Sequence, residues 1–202
     1  ATKTTYYTYR NCQVYYNSAM PVPQVSVIIP TRNEAQVIAR NLQAIKNQTY
    51  PNCEAIVVDD GSTDATVEIS RKYTPSVYKR SHAERSIQRN FGAAKSKGKY
   101  LLFLDADMEL ASSVIGECVT TAQSNPKIGA IAIPEQPIAN NYWEKVKAFE
   151  RSFYSDYGDP DTDAARFFPK KLFFQVGGYD ATITGPEDWD LPQRIAKKYK
   201  VG

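Results

Sequence analysis

The sequence is short of the residues on which several large enzyme classes depend. Its 202 residues include one histidine, His82, and three scattered cysteines, Cys12, Cys53 and Cys118. No cysteine pair has the spacing of a zinc site, and a serine hydrolase would have to be built on His82. An odd number of cysteines cannot close a disulfide framework and fits a reducing, intracellular compartment. By elimination, carboxylates and a metal ion must carry any chemistry.

Long hydrophobic runs and phosphate-binding glycine loops are also missing. The longest apolar runs, residues 25–29 and 100–104, are far shorter than the roughly 18–20 residues of a membrane span. No signal peptide is visible, and neither the P-loop nor the G-x-G-x-x-G pattern occurs. A net charge of only +3, without long basic runs, argues against nucleic acid as a partner. We expect a cytoplasmic protein, with peripheral attachment to the inner face of a membrane as the further option.

The length fits one domain with a sizeable core. Residues 1–20 hold a tyrosine-rich stretch, and Met20 has the position of a natural start. We therefore interpret residues 1–20 as an irregular N-terminal extension or an addition to the natural sequence. Residues 21–202 are predicted to form the catalytic domain. That domain is expected to be truncated at its C-terminus, because a further strand would begin at the last residues.

Short apolar strands alternate with helical patterns along the chain. Short apolar runs, the first of them β-branched, predict strands at residues 25–29, 55–58, 77–78, 100–104 and 128–133. Thr31 and Glu34 have the spacing of a capping box, which predicts a helix directly after the first strand. Further helices are predicted after residue 64 and at residues 85–97, 141–154, 169–175 and 187–199. The alternation predicts an α/β domain with a mostly parallel central sheet, whose ligands bind beyond the carboxyl ends of the strands.

An acidic pair directly follows the fourth predicted strand. Asp105 and Asp107 stand at positions i and i+2 of an extended segment, so both carboxylates can face one site. Such a pair suits a hard cation such as Mg²⁺ or Mn²⁺, which takes its remaining ligands from water and phosphate. The pattern alone is weak, because residues 161–163 and 188–190 match it as well. Only the first pair ends an apolar strand; a solvated loop is the alternative.

Each of the other polar segments has both a ligand-binding explanation and a purely structural one. Asp59 and Asp60 follow the second strand and could accept hydrogen bonds from a nucleobase or ribose, or serve only as a turn. Arg85 and Arg89 share one helix face and suit phosphate recognition, or form surface salt bridges. The acids at residues 187–190 belong to a substrate site or are ordinary helix N-terminal chemistry.

In this order the motifs resemble the family 2 glycosyltransferases of the GT-A fold. The matching segments are VSVIIPTRNE (25–34), IVVDDGSTD (56–64), ERSIQRN (84–90), LLFLDAD (101–107), GGYD (177–180) and EDWDL (187–191). Each is modestly specific, whereas six in this order are very specific. The resemblance implies the fold of nucleotide-diphospho-sugar transferases. It also implies transfer of a sugar from a UDP- or GDP-sugar to a hydroxyl of a glycan, polysaccharide or lipid-linked acceptor, with inversion at the anomeric carbon.

The resemblance also implies roles for individual residues. Those expected to bind the nucleotide sugar are Pro30, Thr31, Arg32, Glu34, Asp59, Asp60, Arg85, Arg89, Asp105 and Ala106. Asp105 and Asp107 would hold the Mn²⁺ or Mg²⁺ ion. Asp188 would be the general base, with Glu187 beside it. The acceptor side would be formed by Gly178, Tyr179 and Trp189.

The sequence departs from the family pattern in two respects, and three other functions are alternatives to a glycosyltransferase. Pro186 stands where many members carry a small residue, and the Gln-x-x-Arg-Trp signature of processive members is absent, which favours single transfer. A phosphohydrolase with Asp105 as nucleophile is disfavoured because Met108 and Glu109, not Gly-Thr, follow the motif. A nucleotidyltransferase is disfavoured because no glycine-rich triphosphate loop with arginine or lysine follows the first strand. A non-catalytic nucleotide-sugar binder is the remaining alternative.

One predicted helix carries an apolar stripe that has two explanations. Tyr142, Val146, Phe149 and Phe153 are spaced 4, 3 and 4 residues apart, with Trp143 beside them. A helix packed on the core is one explanation. The other is a helix that faces a membrane or a lipid acceptor, because aromatic and lysine side chains favour membrane interfaces.

Overall fold

A mixed seven-stranded sheet forms the centre of the described chain. The computed structural model describes residues 5–7, 22–82, 84–137, 142, 145–146, 149, 164–183 and 187–202. The strands are β1 Thr5–Tyr7, β2 Val25–Thr31, β3 Cys53–Asp59, β4 Val77–Lys79, β5 Tyr100–Phe103, β6 Met108–Leu110, β7 Ile128–Ala132, β8 Gln136–Pro137, β9 Ala165–Pro169 and β10 Lys200–Val201. The helices are α1 Ile38–Lys46, α2 Thr66–Arg71, α3 Arg85–Lys95, α4 Val114–Ser124, α5 Lys170–Gln175 and α6 Glu187–Ala196.

The strand order explains where the site lies. The large sheet runs β10-β7-β9-β5-β2-β3-β4, and a small sheet runs β6-β1-β8. Strands β4, β3, β2 and β5 are parallel, so their carboxyl ends meet at one edge. β9 runs antiparallel to both β5 and β7, which brings the start of β9 to that same edge. The fold is therefore α/β, as predicted, with one antiparallel strand inside the sheet.

Two hydrophobic layers cover the two faces of the sheet. Alternate residues of β2 point to opposite faces: Val27 packs with α1 and α4, whereas Ile28 packs with α3, α5 and α6. β5 divides in the same way, with Leu102 in the first layer and Phe103 in the second. Burial on both faces explains why these strands read as continuous apolar runs in the sequence.

Most predicted elements are present, with ends that differ by a few residues. The capping-box prediction is wrong: Thr31 belongs to β2, and α1 begins seven residues later at Ile38, with no side-chain cap at Val37. α4 and β9 are absent from the predicted elements, and Thr5–Tyr7 forms a strand within the predicted extension. The predicted helix at 141–154 lies largely outside the described residues. None of the helices in the described ranges is both long and apolar enough to cross a bilayer.

Candidate active site

Two loops at the carboxyl ends of β2 and β3 are locked together. Asn33 adopts a left-handed backbone conformation, with φ of 54°. Its backbone N–H donates to Ser62 Oγ at 2.9 Å, and its side-chain Oδ1 accepts from Thr63 N at 2.9 Å. Glu34 N donates to Thr66 Oγ1 at 2.8 Å. These bonds fill the donors that a helix directly after Thr31 would have used, which explains why α1 begins late.

Buried oxygens without partners mark the junction of these strands. Thr31 and Asp59 are register partners at the ends of β2 and β3. Asp59 is fully buried, and its Oδ2 accepts from Ser62 N at 3.1 Å. Within the described chain, Asp59 Oδ1 and Thr31 Oγ1 have no hydrogen-bond partner. A buried oxygen left in this state costs about 1–3 kcal/mol, so a ligand that donates to it would be favoured.

Asp60 lies beside this junction with partners that the sequence did not reveal. Gln88 Nε2 donates to Asp60 Oδ1 at 2.5 Å, and His82 Nδ1 lies 2.5 Å from Asp60 Oδ2. Arg32 Nη1 lies 2.9 Å from His82 Nδ1. The exposed His82 therefore joins Arg32 and Asp60, two of the predicted nucleotide-binding residues.

Asp105 is held between two buried arginines. Arg89 Nη2 donates to its Oδ1 at 3.1 Å, and Arg166 Nη1 donates to its Oδ2 at 3.3 Å. Burial alone would raise the pKa of Asp105, but the charges of Arg166, Arg89 and Arg85 lower it to about 2. Asp105 is therefore ionised throughout the physiological range.

Arg89 also reaches the predicted general base. Its Nη1 donates to Asp188 Oδ1, so one guanidinium joins the carboxylate after β5 to the carboxylate at the start of α6. Only 1% of the Arg89 side chain is exposed, and its guanidinium lies 5.2 Å from the centre of the Tyr179 ring. Arg85, one turn earlier on α3, is exposed. Of the two predicted phosphate-binding arginines, Arg85 is thus the one open to a ligand.

Asp107 and Glu34 have a different electrostatic environment from Asp105. Burial, followed by the charges of Asp105 and Glu135, raises the pKa of Asp107. Burial, followed by the charges of Asp107, Asp64 and Asp105, raises the pKa of Glu34. These carboxylates repel one another, and a cation would relieve that repulsion. Among the described residues, however, no three acids, histidines or cysteines form a complete ligand cluster.

Two asparagines, the buried Asn41 and the half-buried Asn90, hold the backbone around the site. Asn41 on α1 donates to the carbonyls of Asp105 at 2.9 Å and Met108 at 2.8 Å, and so fixes the turn that contains Ala106. Asn90 donates to the Tyr179 carbonyl at 2.7 Å and accepts from Tyr179 N at 3.0 Å. A polar residue on the apolar face of α1 is the sequence signal that could have identified Asn41.

The predicted acceptor residues separate into buried and exposed ones. Gly178 has φ of +68°, and a Cβ there would lie 2.7 Å from Asn90 Oδ1, so both conformation and space require glycine. Tyr179 is buried beneath Arg89, whereas Trp189 is 51% exposed. Glu187 begins α6 next to Asp188. A separate cavity of about 470 Å³, lined by α1, β6 and Tyr73, includes none of the predicted site residues.

Solved structures with similar folds include complexes with nucleotide sugars. The mannosyltransferase PcManGT from Pyrobaculum calidifontis, in complex with GDP-Man and Mn²⁺, superposes with a TM-score of 0.70 at 23% identity, over 89% of this chain and 54% of its own. TarS 1-349 from S. aureus, in complex with UDP-GlcNAc, gives a TM-score of 0.65 at 19% identity, over 88% and 55%. The chain thus spans about half the length of these structures and shares their GT-A fold.

Sequence relatives point to the same family. A PGL/p-HBAD biosynthesis glycosyltransferase of Mycobacterium bovis is 28% identical over 186 residues, covering 85% of this chain and 69% of the relative. Glycosyltransferase AglE of Haloferax volcanii is 40% identical over 94 residues, covering 43% and 31%. The family model described as glycosyl transferase family 2 matches residues 26–181, which contain the strand-end carboxylates. The chain belongs to glycosyl transferase family 2 and is a glycosyltransferase.

Proposed function

We propose that this domain is a metal-dependent, inverting glycosyltransferase that moves a sugar from a nucleoside diphosphate to an acceptor hydroxyl. The observation that carries the proposal is the link made by Arg89 between Asp105 and Asp188. It places the carboxylate expected at the donor beside the carboxylate expected to act as base. Both lie at the sheet edge where α/β proteins bind ligands.

The nucleotide would bind over the ends of β2 and β3. Asp59 Oδ1 and Thr31 Oγ1 are the buried acceptors that a base N–H or a ribose hydroxyl would satisfy. A UDP- or GDP-sugar is the expected donor class. The solved neighbours with UDP-GlcNAc and with GDP-Man and Mn²⁺ support this class.

The residues beside the expected diphosphate fit a divalent cation. Asp107 offers a half-buried carboxylate that is repelled by its acidic neighbours, and Asp105 offers a fixed one. Mg²⁺ and Mn²⁺ bind through one or two carboxylates plus phosphates, so the missing third protein ligand does not disqualify the site. When bound, the cation would supply Lewis-acid neutralisation of the departing diphosphate. The exposed Arg85, whose charge acts on Asp105, would add positive charge near the diphosphate.

Asp188 would remove the proton of the acceptor hydroxyl. Arg89 holds its Oδ1, which leaves Oδ2 to accept the proton. The acceptor oxygen forms its bond to the anomeric carbon as the bond to the diphosphate breaks on the opposite face, which inverts that carbon. A positioned base of this kind contributes about 10²–10⁴-fold in rate.

The test uses the purified protein with a panel of UDP- and GDP-sugars, with and without Mn²⁺. We expect at least one donor to raise the melting temperature in a metal-dependent way, and to be hydrolysed or transferred. Asp188→Asn should lower turnover by about 10²–10⁴-fold while retaining donor binding. The matched control is Asp190→Asn, because the Asp190 carboxylate of the wild type pairs with Arg194. This variant should retain activity.

Other outcomes would favour the rival functions. Release of inorganic phosphate from simple phosphomonoesters would indicate a phosphohydrolase, and pyrophosphate release from a nucleoside triphosphate would indicate a nucleotidyltransferase. Donor binding without hydrolysis or transfer, across a broad acceptor set, would indicate a binding domain. Full turnover by Asp188→Asn would remove the base assignment alone.

Exposed side chains support a lipid-facing surface for the acceptor. Tyr142, Val146 and Phe149 are 71%, 43% and 66% exposed, and Lys145 is exposed among them. We infer that this stripe meets a membrane or a lipid-linked acceptor. Flotation with anionic liposomes should recover the wild-type protein and lose a Tyr142→Ser/Phe149→Ser variant. Tyr73→Ser, at another exposed aromatic, is the control, and failure of the wild type to float would refute the inference.

A further inference from the structure

The Glu135–Arg166 pair occupies the donor edge of the sheet and is absent from every motif in the sequence. Arg166 stands near the start of β9, a strand in which Ala165, Phe167 and Phe168 are buried and apolar. Because β9 runs antiparallel to β5, its first residues lie beside the end of β5. This register delivers the Arg166 guanidinium to Asp105.

Different nitrogens of the Arg166 guanidinium donate to two different carboxylates. Its Nε and Nη2 donate to Glu135 Oε1 at 2.9 and 2.6 Å, while Nη1 donates to Asp105 Oδ2 at 3.3 Å. Only 7% of the side chain is exposed. A buried ion pair is weak evidence for stability, because desolvation offsets much of the attraction, and an apolar residue would often serve as well. A role in orienting Asp105 accounts for the charge better than packing does.

This arrangement makes the two carboxylates of the acidic pair inequivalent. Asp105 has one oxygen bonded to Arg89 and the other to Arg166. Among the described residues, no arginine hydrogen bond reaches Asp107. Asp105 is thus fixed by two guanidinium groups, whereas the carboxylate of Asp107 is left to contact a cation.

We propose that Arg166, held by Glu135, is a positioning residue that fixes Asp105 and sets the net charge facing the donor diphosphate and its metal. The inference rests on the proposed donor and metal site. It predicts effects of opposite sign on a cation and on an anion. Loss of the Arg166 charge leaves the acidic cluster more negative, which attracts Mn²⁺ and repels a nucleoside diphosphate. Loss of the Glu135 charge has the reverse effect.

The test compares Arg166→Met, Arg166→Lys and Glu135→Gln with the wild type. Mn²⁺ binding to the free protein is followed by electron paramagnetic resonance, and metal-free UDP and GDP binding by calorimetry. In Arg166→Met we expect roughly threefold to tenfold tighter Mn²⁺ binding and weaker nucleotide binding by a similar factor. Glu135→Gln should weaken Mn²⁺ binding and strengthen nucleotide binding. Arg166→Lys keeps the positive charge and should therefore have Mn²⁺ and nucleotide affinities close to those of the wild type. Its turnover should stay below that of the wild type, because lysine lacks the planar guanidinium group.

The control is Lys72→Met, which removes an exposed lysine that pairs with Glu68 of α2 at 3.4 Å and should change neither affinity. A fall in both affinities in both Arg166→Met and Glu135→Gln would indicate a purely structural role and overturn the inference. Unchanged affinities would overturn it as well. If Arg166→Met fails to fold, the sign of the Glu135→Gln effect decides. A wild-type protein that binds neither Mn²⁺ nor nucleotide would instead refute the proposed function.

Discussion

At the scale of single residues, the site is organised by charges that are buried and paired. Burial by itself lowers the pKa of Arg89, but the carboxylates of Asp105 and Asp188 raise it above the usual value, so the guanidinium stays charged. Burial raises the pKa of Tyr179 and keeps its phenol neutral beside that guanidinium. Arg89 is therefore a buried positive charge that pairs with two carboxylates at once.

Asp107 should reduce the stability of the metal-free protein. Its pKa is raised from 3.8 in the folded state, so ionising it disfavours folding. This cost is absent below the unfolded pKa, where the carboxyl is protonated in both states, and complete above the raised folded pKa. We expect Asp107→Asn to raise the melting temperature at pH 7 by about 1–3 °C, with no gain near pH 3. Thermal unfolding across this pH range measures the effect.

Bound Mn²⁺ should reverse the order of stability of the wild type and Asp107→Asn. Saturating Mn²⁺ should stabilise the wild type, by about 2.7 kcal/mol at 100 times the dissociation constant, and Asp107→Asn much less. Asp180→Asn is a control of opposite sign, because hydrogen bonds from Thr182 lower the pKa of Asp180 in the fold. Its melting temperature should fall slightly at pH 7. Equal stabilisation of wild type and Asp107→Asn by Mn²⁺ would argue against Asp107 as a ligand.

Several site residues could not have been found from the sequence, for a physical reason. Asp59, Asp105 and Asp188 lie in short motifs whose strand-end or helix-start position is visible in the local pattern. Arg166, which is held by Glu135, reaches Asp105 only through the antiparallel placement of β9, which no local pattern encodes. Only the three-dimensional arrangement shows such contacts.

At the scale of elements, the close approach of α3 to β2 positions Arg89. A Cβ at Gly92 would lie 2.4 Å from Ile28 Cγ2 and 3.1 Å from Val58 Cγ2. Alanine gains about 0.5–1 kcal/mol over glycine in a helix, but overpacking costs about 1–3 kcal/mol. We expect Gly92→Ala to lower the free energy of unfolding by about 1–2 kcal/mol in urea denaturation. A more stable Gly92→Ala would show that helix propensity outweighs the clash.

The matched control for this substitution lies two residues away on the same helix. Ala94 is exposed, so Ala94→Ser adds an atom without entering the α3–β2 contact. Its effect should stay within about 0.5 kcal/mol. Loss of stability in Ala94→Ser equal to that in Gly92→Ala would mean that the helix, not the contact, is sensitive.

The elements that the sequence mispredicted or missed have two causes, competition from tertiary contacts and weak periodicity. The spacing of Thr31 and Glu34 matches a capping box, yet strand pairing takes Thr31 and Thr66 takes the Glu34 N–H. α4 is missed because its buried side, with Val114, Ile115 and Cys118, forms a weak periodic pattern. The parallel strands were predictable because burial on both faces leaves continuous apolar runs.

At the scale of the whole molecule, the sheet is rigid at its centre and open at its ligand edge. β2, β3 and β5 lie inside the sheet and are covered on both faces, so their amides should open only with global unfolding. The loops after these strands carry the proposed donor contacts and have fewer apolar anchors. Native-state hydrogen exchange should therefore show the slowest amides in the three strands and faster ones in residues 32–37, 60–65 and 105–107.

A bound nucleotide sugar with Mn²⁺ should protect those three loops together. Asn33 ties the first two through Ser62 and Thr63, and Asn41 ties the third to α1, so ordering one loop restrains the others. The outer cavity between α1 and β6 shares none of the predicted site residues and should show no change. Protection confined to that cavity, or to one loop alone, would contradict a donor site spanning the strand ends. Asp107→Asn with the same ligands serves as the control, since losing the metal ligand should remove protection from residues 105–107 first.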